Sequence, residues 1–432
     1  MRSALIRSAL DCLAGKLKVH ETRITKGKGL NVGPSARFST ASKDSGNQIP
    51  NENATSLYDS YGRVHNYLRI SLSERCSFRC CYCMPDGGML LTPQDELLTT
   101  PELLHLIDIF ASLGVTAVRL TGGEPLLRKD LPTIIRHIRT NYAHIRKIGI
   151  TTNGLVLERN LDNLIKAGLT HVNISLDSLV PYKFEEITRR KGFDRVLQAI
   201  FSAEKLLPTK INCVVMRGFN LDEIPAFVEM TRDHNLEVRF IEYMPFDGNR
   251  WSFDELVPQR ELEDKIQRSV PDVLQLPTEP HHTAKLFTSP AHRGRWGFIS
   301  SMSQAFCSSC NRLRLTADGA LRSCLFSARS DELSLRDILR ENYKVSQGIQ
   351  RNGYGQRINT KHQNSRRITT THGQPLDNTK KIDDNVSERF EVDELLRQKI
   401  RVHLHKKHFS HGGLDVRNLA ENDNRPMITI GG

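Results

Sequence analysis

The 432-residue chain contains no apolar run approaching the ~18–20 residues that span a bilayer, which excludes a transmembrane helix and leaves no expectation of a membrane partner. Acids are scarce at its start: in residues 1–40 only Asp11 and Glu21 oppose Arg2, Arg7, Lys16, Lys18, Arg23, Lys26, Lys28 and Arg37. No continuous apolar stretch follows those charges, so a secretory signal is excluded. Arg2 to Leu17 can instead form a basic amphipathic helix, and Arg37-Phe38-Ser39-Thr40 resembles a mitochondrial processing site. Residues 1–40 read as a mitochondrial transit peptide. The expected location is the mitochondrial matrix, where reducing conditions argue against disulfides.

A fourth cysteine is missing twice. Cys76-x3-Cys80-x2-Cys83 and Cys307-x2-Cys310-x13-Cys324 hold six of the nine cysteines, each as a group of three. A structural zinc or an electron-transfer iron–sulfur cluster normally has a full set of protein ligands. Three thiolates leave one iron of a cubane open to a substrate or cosubstrate, which points to chemistry at clusters rather than to stapling. Cys12, Cys81 and Cys213 fall outside the spacing and read as bystanders. His403, His405, His408 and His411 read as part of a basic tail rather than as a metal site.

The net charge of +12 is local. Residues 1–40 carry +6 and residues 344–390 carry +5, which leaves +1 for the remaining chain. Basicity confined to two segments is no footprint for nucleic acid, and no such partner is expected.

Between Tyr67 and Met244 short apolar runs alternate with helical patterns. Strands are expected at Tyr67–Leu72, Ala117–Thr121, Lys147–Thr151, His171–Leu176, Lys210–Met216 and Val238–Met244. Helices are expected at Thr99–Leu113, Asp130–Asn141, Leu157–Ala167, Phe193–Leu207 and Leu221–His234. Six βα units imply an α/β fold with an incomplete parallel (β/α)6 barrel, and active residues then collect at the C-terminal strand ends. The expected organisation is a linker over 41–62, the partial barrel over 63–249 and a smaller cluster-binding C-terminal subdomain over 250–344. Arg312–Thr316 and Ala320–Leu325, joined by Asp318-Gly319, read as a hairpin that returns Cys324 toward Cys307 and Cys310. Residues 345–388 are polar and without periodicity, and read as a disordered insertion. A helix near Val392–Leu404 and a Gly-Gly tail complete 389–432.

The CxxxCxxC spacing, with Tyr82 before its last cysteine, resembles the radical S-adenosylmethionine superfamily, as does Gly122-Gly123-Glu124-Pro125. Further segments narrow the likeness: Tyr67-Leu68-Arg69-Ile70-Ser71-Leu72, Thr151-Thr152-Asn153-Gly154, Asn173-Ile174-Ser175-Leu176-Asp177 and Arg239-Phe240-Ile241-Glu242-Tyr243-Met244-Pro245. With Cys310-Asn311-Arg312-Leu313-Arg314-Leu315 and the terminal Gly431-Gly432, they resemble the GTP 3′,8-cyclase (molybdenum cofactor biosynthesis protein A) family. The likeness runs from about Tyr61 to Glu341 and resumes at the tail.

The resemblance implies two [4Fe–4S] clusters, with Cys76, Cys80 and Cys83 holding the S-adenosylmethionine cluster and Cys307, Cys310 and Cys324 the substrate cluster. It implies S-adenosylmethionine contacts from Tyr82, Gly123, Ser175 and Met244, and GTP contacts from Arg69, Arg119, Thr151, Lys210, Arg312 and Arg314. Arg69, Arg312, Arg314, Gly431 and Gly432 would take part in catalysis. The implied reaction converts GTP to (8S)-3′,8-cyclo-7,8-dihydro-GTP, the first step toward molybdopterin. Its implied partners are an electron donor and the downstream cyclic pyranopterin monophosphate synthase, with a homodimer left open. Ala117 departs from the family pattern, which often has lysine there, so one triphosphate contact is either absent or supplied elsewhere. Two alternatives remain: a radical S-adenosylmethionine enzyme acting on peptide or RNA, and a zinc-stabilised scaffold without turnover. The near-neutral core and the Arg312/Arg314 pair count against the first.

Overall fold

The computed structural model describes residues 56–85, 87–346, 349–351, 357–359 and 378–431. The transit-peptide reading, residues 41–55 of the linker reading and Gly432 lie outside the described residues. The six expected strands are present as β1 (Tyr67–Ser71), β2 (Ala117–Thr121), β3 (Lys147–Thr152), β4 (His171–Ser175), β5 (Thr209–Val215) and β6 (Glu237–Glu242). They lie side by side in chain order and all pair in parallel.

Helices α1 (Thr100–Ser112), α2 (Leu131–Asn141), α3 (Leu157–Ala167), α4 (Pro181–Thr188), α5 (Phe193–Glu204) and α6 (Ile224–Asp233) fill the crossovers. The start of α1 follows from its sequence. Thr99 and Glu102 form a reciprocal capping box, and Pro101 occupies the first turn, where a missing N–H costs nothing. Pro225 likewise begins α6 three residues later than the periodicity predicts, after a 3-10 turn over Leu221–Glu223. The short α4 has no counterpart in the sequence reading.

Strand alternation divides the sheet into two chemically opposite faces. Leu68, Ile70, Leu120, Ile148, Ile150, Val172, Ile174, Ile211, Val238 and Phe240 are fully buried on the helix-facing side. The amphipathic helices supply the other half of that core, for example Ile134, Ile135 and Ile138 of α2 and Leu161 and Leu164 of α3. The intervening residues (Arg69, Arg119, Thr151, Asn173, Lys210, Asn212 and Arg239 among them) are polar or charged and face the interior.

The chain after β6 extends both edges of this one sheet. After α7 (Gln259–Gln267), β7 (Leu274–Gln275), β8 (Lys285–Thr288) and β9 (Arg295–Ile299) form one flank, with β9 parallel to β6. The other flank is β10 (Arg312–Leu315), β11 (Ala320–Arg322) and β12 (Leu333–Ser334), with β10 parallel to β1. The result is a 12-stranded sheet running from β12 to β7, and no ladder among the described residues joins its ends. The barrel is incomplete, as its sequence predicts. The expected hairpin is the β10–β11 pair, in register through Arg314–Arg322 and Leu315–Leu321.

Of the segment read as a disordered insertion, residues 347–348, 352–356 and 360–377 lie outside the described residues. Following α8 (Leu335–Ser346), β13 (Ile349–Arg351) pairs with β14 (Arg357–Asn359), and α9 spans Asn378–His405 rather than starting near Val392. A short α10 (Met427–Ile430) precedes the tail. Among the described residues, no helix is long and apolar enough to cross a membrane.

The two faces should respond differently to truncation. Ile211→Ala on the helix side should cost about 2–5 kcal/mol in urea unfolding, because it leaves a cavity in a close-packed core. Asn212→Ala, one residue on, should be neutral or stabilising, because its buried Oδ1 has no hydrogen-bond partner to lose.

Candidate functional site

The loop after β1 carries the first three cysteines. Cys83 N and Met84 N both donate to Cys80 O, at 3.0 Å each, and this turn brings Cys83 back beside Cys80. Arg79 N and Cys81 N donate to Thr188 O and Ile187 O, which ties the loop to the end of α4. Burial pushes all three thiols up, and their mutual charge and the nearby Asp177 add to the effect at Cys80 and Cys83. Such thiols ionise when a cationic iron–sulfur core takes them as ligands, so the donor set fits a cluster.

Gly122 and Gly123 hold that loop against β2. A Cβ on Gly122 would lie 2.6 Å from Ser73 O, and one on Gly123 would collide with Arg75 O. Only glycine permits this backbone approach, through which Gly123 N donates to Ser73 O and Glu124 N to Arg75 O. Glu124 is fully buried and accepts from Thr152 Oγ1 (2.7 Å), Asn153 N (2.8 Å) and Leu126 N (3.0 Å). Asn153 Nδ2 donates in turn to Ser77 Oγ at 2.8 Å. The turns after β1, β2 and β3 are thereby joined into one unit.

Tyr82, Gly123, Ser175 and Met244 share this end of the barrel. Tyr82 Oη donates to Asp177 at 2.9 Å, and burial raises the Asp177 carboxyl to about 6. Asn249 Nδ2 donates to both Met244 O (2.9 Å) and Tyr82 O (3.3 Å), joining two segments that the sequence leaves unrelated.

Farther along the interior, cations dominate. Arg69 lies in register with both Arg314 and Arg119. Arg119 lies across Gly149, where a Cβ would come within 2.9 Å of its Cζ, and donates to Tyr67 Oη at 2.7 Å. Burial opposes ionisation of Tyr67, but Arg119 and then Arg69 outweigh it and bring the phenol down to about 8. Burial and then Arg314 hold the Arg69 guanidinium well below its usual range. Arg312 donates to His281 O at 2.7 Å and lies 5.4 Å from the Phe306 ring centre. Lys210 is already engaged: Glu237, which the sequence reading did not single out, lies 2.7 Å away and also pairs with Arg239 and Arg295.

Six interior polar atoms, Arg69 Nε, Ser71 Oγ, Thr151 Oγ1, Asn173 Oδ1, Asn212 Oδ1 and Arg312 Nη1, are buried without a partner. Each costs about 1–3 kcal/mol if left unpaired, so the interior is built for a polar ligand. A cavity of ≈ 460 Å³ opens at the N-terminal strand ends. Arg119, Arg146, Lys147, Lys210, Arg239 and Arg312 line it, and no Asp or Glu does.

The hairpin brings Cys324, like Cys310, into electrostatic range of Cys307. Burial alone would raise Cys310, but Lys407, Arg312 and Arg314 overcome it and hold the thiol down at about 7. Two soft thiols flanking a partly ionised third again fit a cluster. All six cysteines are free, and no group of His, Cys, Asp or Glu among the described residues is arranged to hold a metal ion.

The tail enters the barrel. Gly431 O accepts from Arg314 Nη1 at 3.1 Å. A Cβ on Gly431 would lie 2.9 Å from Thr121 Cγ2 and 3.3 Å from both Ser71 Cβ and Gly122 N, at a φ of +77°. Arg425 anchors the approach by pairing with Asp318 at 2.9 Å and with Glu332, while buried Arg322 donates to Asn424 Oδ1 at 2.7 Å.

Known proteins share this layout in sequence. Residues 70–231 match the Radical SAM superfamily and residues 236–367 match Molybdenum Cofactor Synthesis C. The "GTP 3',8-cyclase, mitochondrial" of Arabidopsis thaliana is 43% identical over 378 residues, covering 87% of this chain and 83% of that protein. The chain belongs to the GTP 3′,8-cyclase family. Another member, the "GTP 3',8-cyclase" of Syntrophomonas wolfei, is 43% identical over 66% of this chain and 87% of its own length. "Molybdenum cofactor biosynthesis protein 1" of Bos taurus is 54% identical over 66% of this chain, which spans about half of such longer relatives (45% of the bovine protein). Among solved structures, Streptococcus suis SuiB bound to S-adenosylmethionine gives a TM-score of 0.44 at 14% identity, over 62% of each chain. Membership of the radical S-adenosylmethionine superfamily implies S-adenosylmethionine and a four-iron cluster.

Gly123→Ala tests the junction that holds this family member's first cysteine loop. The collision with Arg75 O forces a backbone shift that should cost about 1–3 kcal/mol, read as a lowered thermal midpoint.

Proposed function

We propose that the chain is a GTP 3′,8-cyclase, converting GTP to (8S)-3′,8-cyclo-7,8-dihydro-GTP in the first step toward molybdopterin. The observation that carries this is the cationic cavity, lined by no Asp or Glu and continuous in register with unpartnered polar atoms of the interior, in a chain with two groups of three free cysteines. In this reading Cys76, Cys80 and Cys83 hold a four-iron cluster beside S-adenosylmethionine, and Cys307, Cys310 and Cys324 hold a second. Bound there, the cluster and S-adenosylmethionine would supply the radical chemistry for hydrogen removal at the ribose C3′.

The protein's own part is binding, orientation and exclusion of water. Tyr82, Gly123, Ser175 and Met244 meet S-adenosylmethionine at the C-terminal strand ends. Arg69, Arg119, Arg312 and Arg314 present planar guanidinium groups to the triphosphate, which relieves their mutual repulsion. Thr151 offers its unpartnered hydroxyl. Lys210 contributes less, since Glu237 already holds it. Ala117 removes one expected cation, but its register partner Lys147 lines the same cavity and takes that place. Gly431 and Gly432 bring a terminus without side chains toward the reacting sugar. An electron donor and cyclic pyranopterin monophosphate synthase complete the reading, in mitochondria as the Arabidopsis relative's name indicates for that protein.

Replacing Cys76, Cys80 and Cys83 together by Ala should remove about half of the reconstituted iron and abolish S-adenosylmethionine cleavage; retained cleavage overturns the assignment. Arg314→Ala should weaken GTP binding about 10- to 100-fold by calorimetry, the loss expected for a buried charge-assisted contact. One alanine added after Gly432 should leave both clusters and S-adenosylmethionine binding intact while strongly cutting cyclic product. Unchanged turnover would make the tail a bystander.

A further inference from the structure

Lys407 lies two residues beyond α9 and is only 4% exposed. Its Nζ donates to Cys310 Sγ at 3.6 Å and to Arg312 O at 3.3 Å. No carboxylate among the described residues forms an ion pair with it. A buried ammonium without a carboxylate is costly unless another negative group stands in. Burial lowers the pKa of its ammonium, and Cys310 and Cys324 are the first charges to oppose that.

The position is fixed from both sides. Lys407 N donates to Leu404 O at 3.0 Å, at the end of α9. Arg63 spans the residues that follow: Nη2 donates to His408 O at 3.0 Å, and Nη1 to both Phe409 O and Cys307 O at 2.7 Å. Asp59 holds Arg63 through a 2.6 Å ion pair, and His411 Nε2 bonds Ser301 O at 2.8 Å. One arginine thus grips both a cysteine of the second group and the backbone beside the lysine. The first cysteine group has more acidic surroundings: Asp177 acts on Cys80, and Cys76 feels Glu124 ahead of the opposing Arg79.

We propose that Lys407 is the built-in counter-cation of the second cysteine group, and that its charge and N–H···S bond favour the reduced state of a cluster held by Cys307, Cys310 and Cys324. The inference rests on the second-cluster reading under Proposed function. Net charge and hydrogen bonds to sulfur set the potentials of such clusters. One electron taken from an external reductant makes the cluster one unit more negative while Lys407 keeps its proton, so the ammonium stabilises the reduced form more. Lys407 is a positioning and tuning residue and touches no substrate atom.

The test is an electron paramagnetic resonance redox titration of the anaerobically reconstituted full chain, with dithionite and mediators, comparing wild type with Lys407→Met and Lys407→Arg. Wild type should hold about eight irons; four would overturn the second-cluster reading itself. With eight present, Lys407→Met should lower the second cluster's potential so that its reduced-to-oxidised ratio at a fixed poise falls about tenfold, equivalent to about 59 mV. The first cluster should be unmoved and Lys407→Arg should stay near wild type. Loss of the second cluster's iron in Met but not in Arg also supports the need for a cation. An unchanged potential in an iron-replete Met variant, equal shifts at both clusters, or iron loss in both variants overturns the proposal.

Discussion

Repulsion among buried guanidinium groups is the constraint on which the barrel depends. Arg314, Arg69 and Arg119 stand in register on three adjacent strands, and Arg312 lies one step away. Like charges at such spacing in a low-dielectric interior oppose folding unless something negative relieves them. The chain relieves part of the strain internally. Tyr67 shares its phenol with Arg119, Gly431 lends its carbonyl to Arg314, and Glu237 absorbs Lys210, Arg239 and Arg295. The excess that remains suits an anionic ligand. The helix-facing core makes this tolerable, because every charged interior position alternates with a fully buried aliphatic one.

The two cysteine groups illustrate how one fold supplies two electrostatic settings. Around the first, burial and then nearby carboxylates push the thiols up, with Arg79 opposing them at Cys76. Around the second, Lys407, Arg312 and Arg314 already favour a thiolate at Cys310. The same three thiols in sequence therefore do not imply the same electronic environment, and the difference comes from elements far from either spacing motif.

Much of this was legible in the chain. Period-two runs such as Tyr67–Ser71 and helix signals such as Thr99-x-x-Glu102 are local, and local chemistry sets those elements. Asp318-Gly319 marks the turn that returns Cys324. What escaped depends on distant partners. Nothing at position 249 announces that its amide bridges residues 82 and 244, and nothing at Lys210 shows that Glu237 claims it. The flank β7–β9 is short and irregular, and its strands make sense only against β6. α9 starts earlier than the periodicity suggests, because composition alone cannot tell a polar helix from a loop.

The parallel pairing of β1 with β10 has a kinetic consequence. Asn66 and Asn311, just ahead of the two strands and hydrogen-bonded to each other, are 245 positions apart in the chain. Until that later segment arrives, β1 presents a free edge of unpaired amides and carbonyls, with Arg69 and the first cysteines beside it. Closing so long a loop is slow, and an open edge is a template for pairing with the wrong chain. The first strand among the described residues, β1, is thus among the last to be enclosed. Its charged inner face, which keeps strangers from packing there, protects the nascent chain before it serves any ligand.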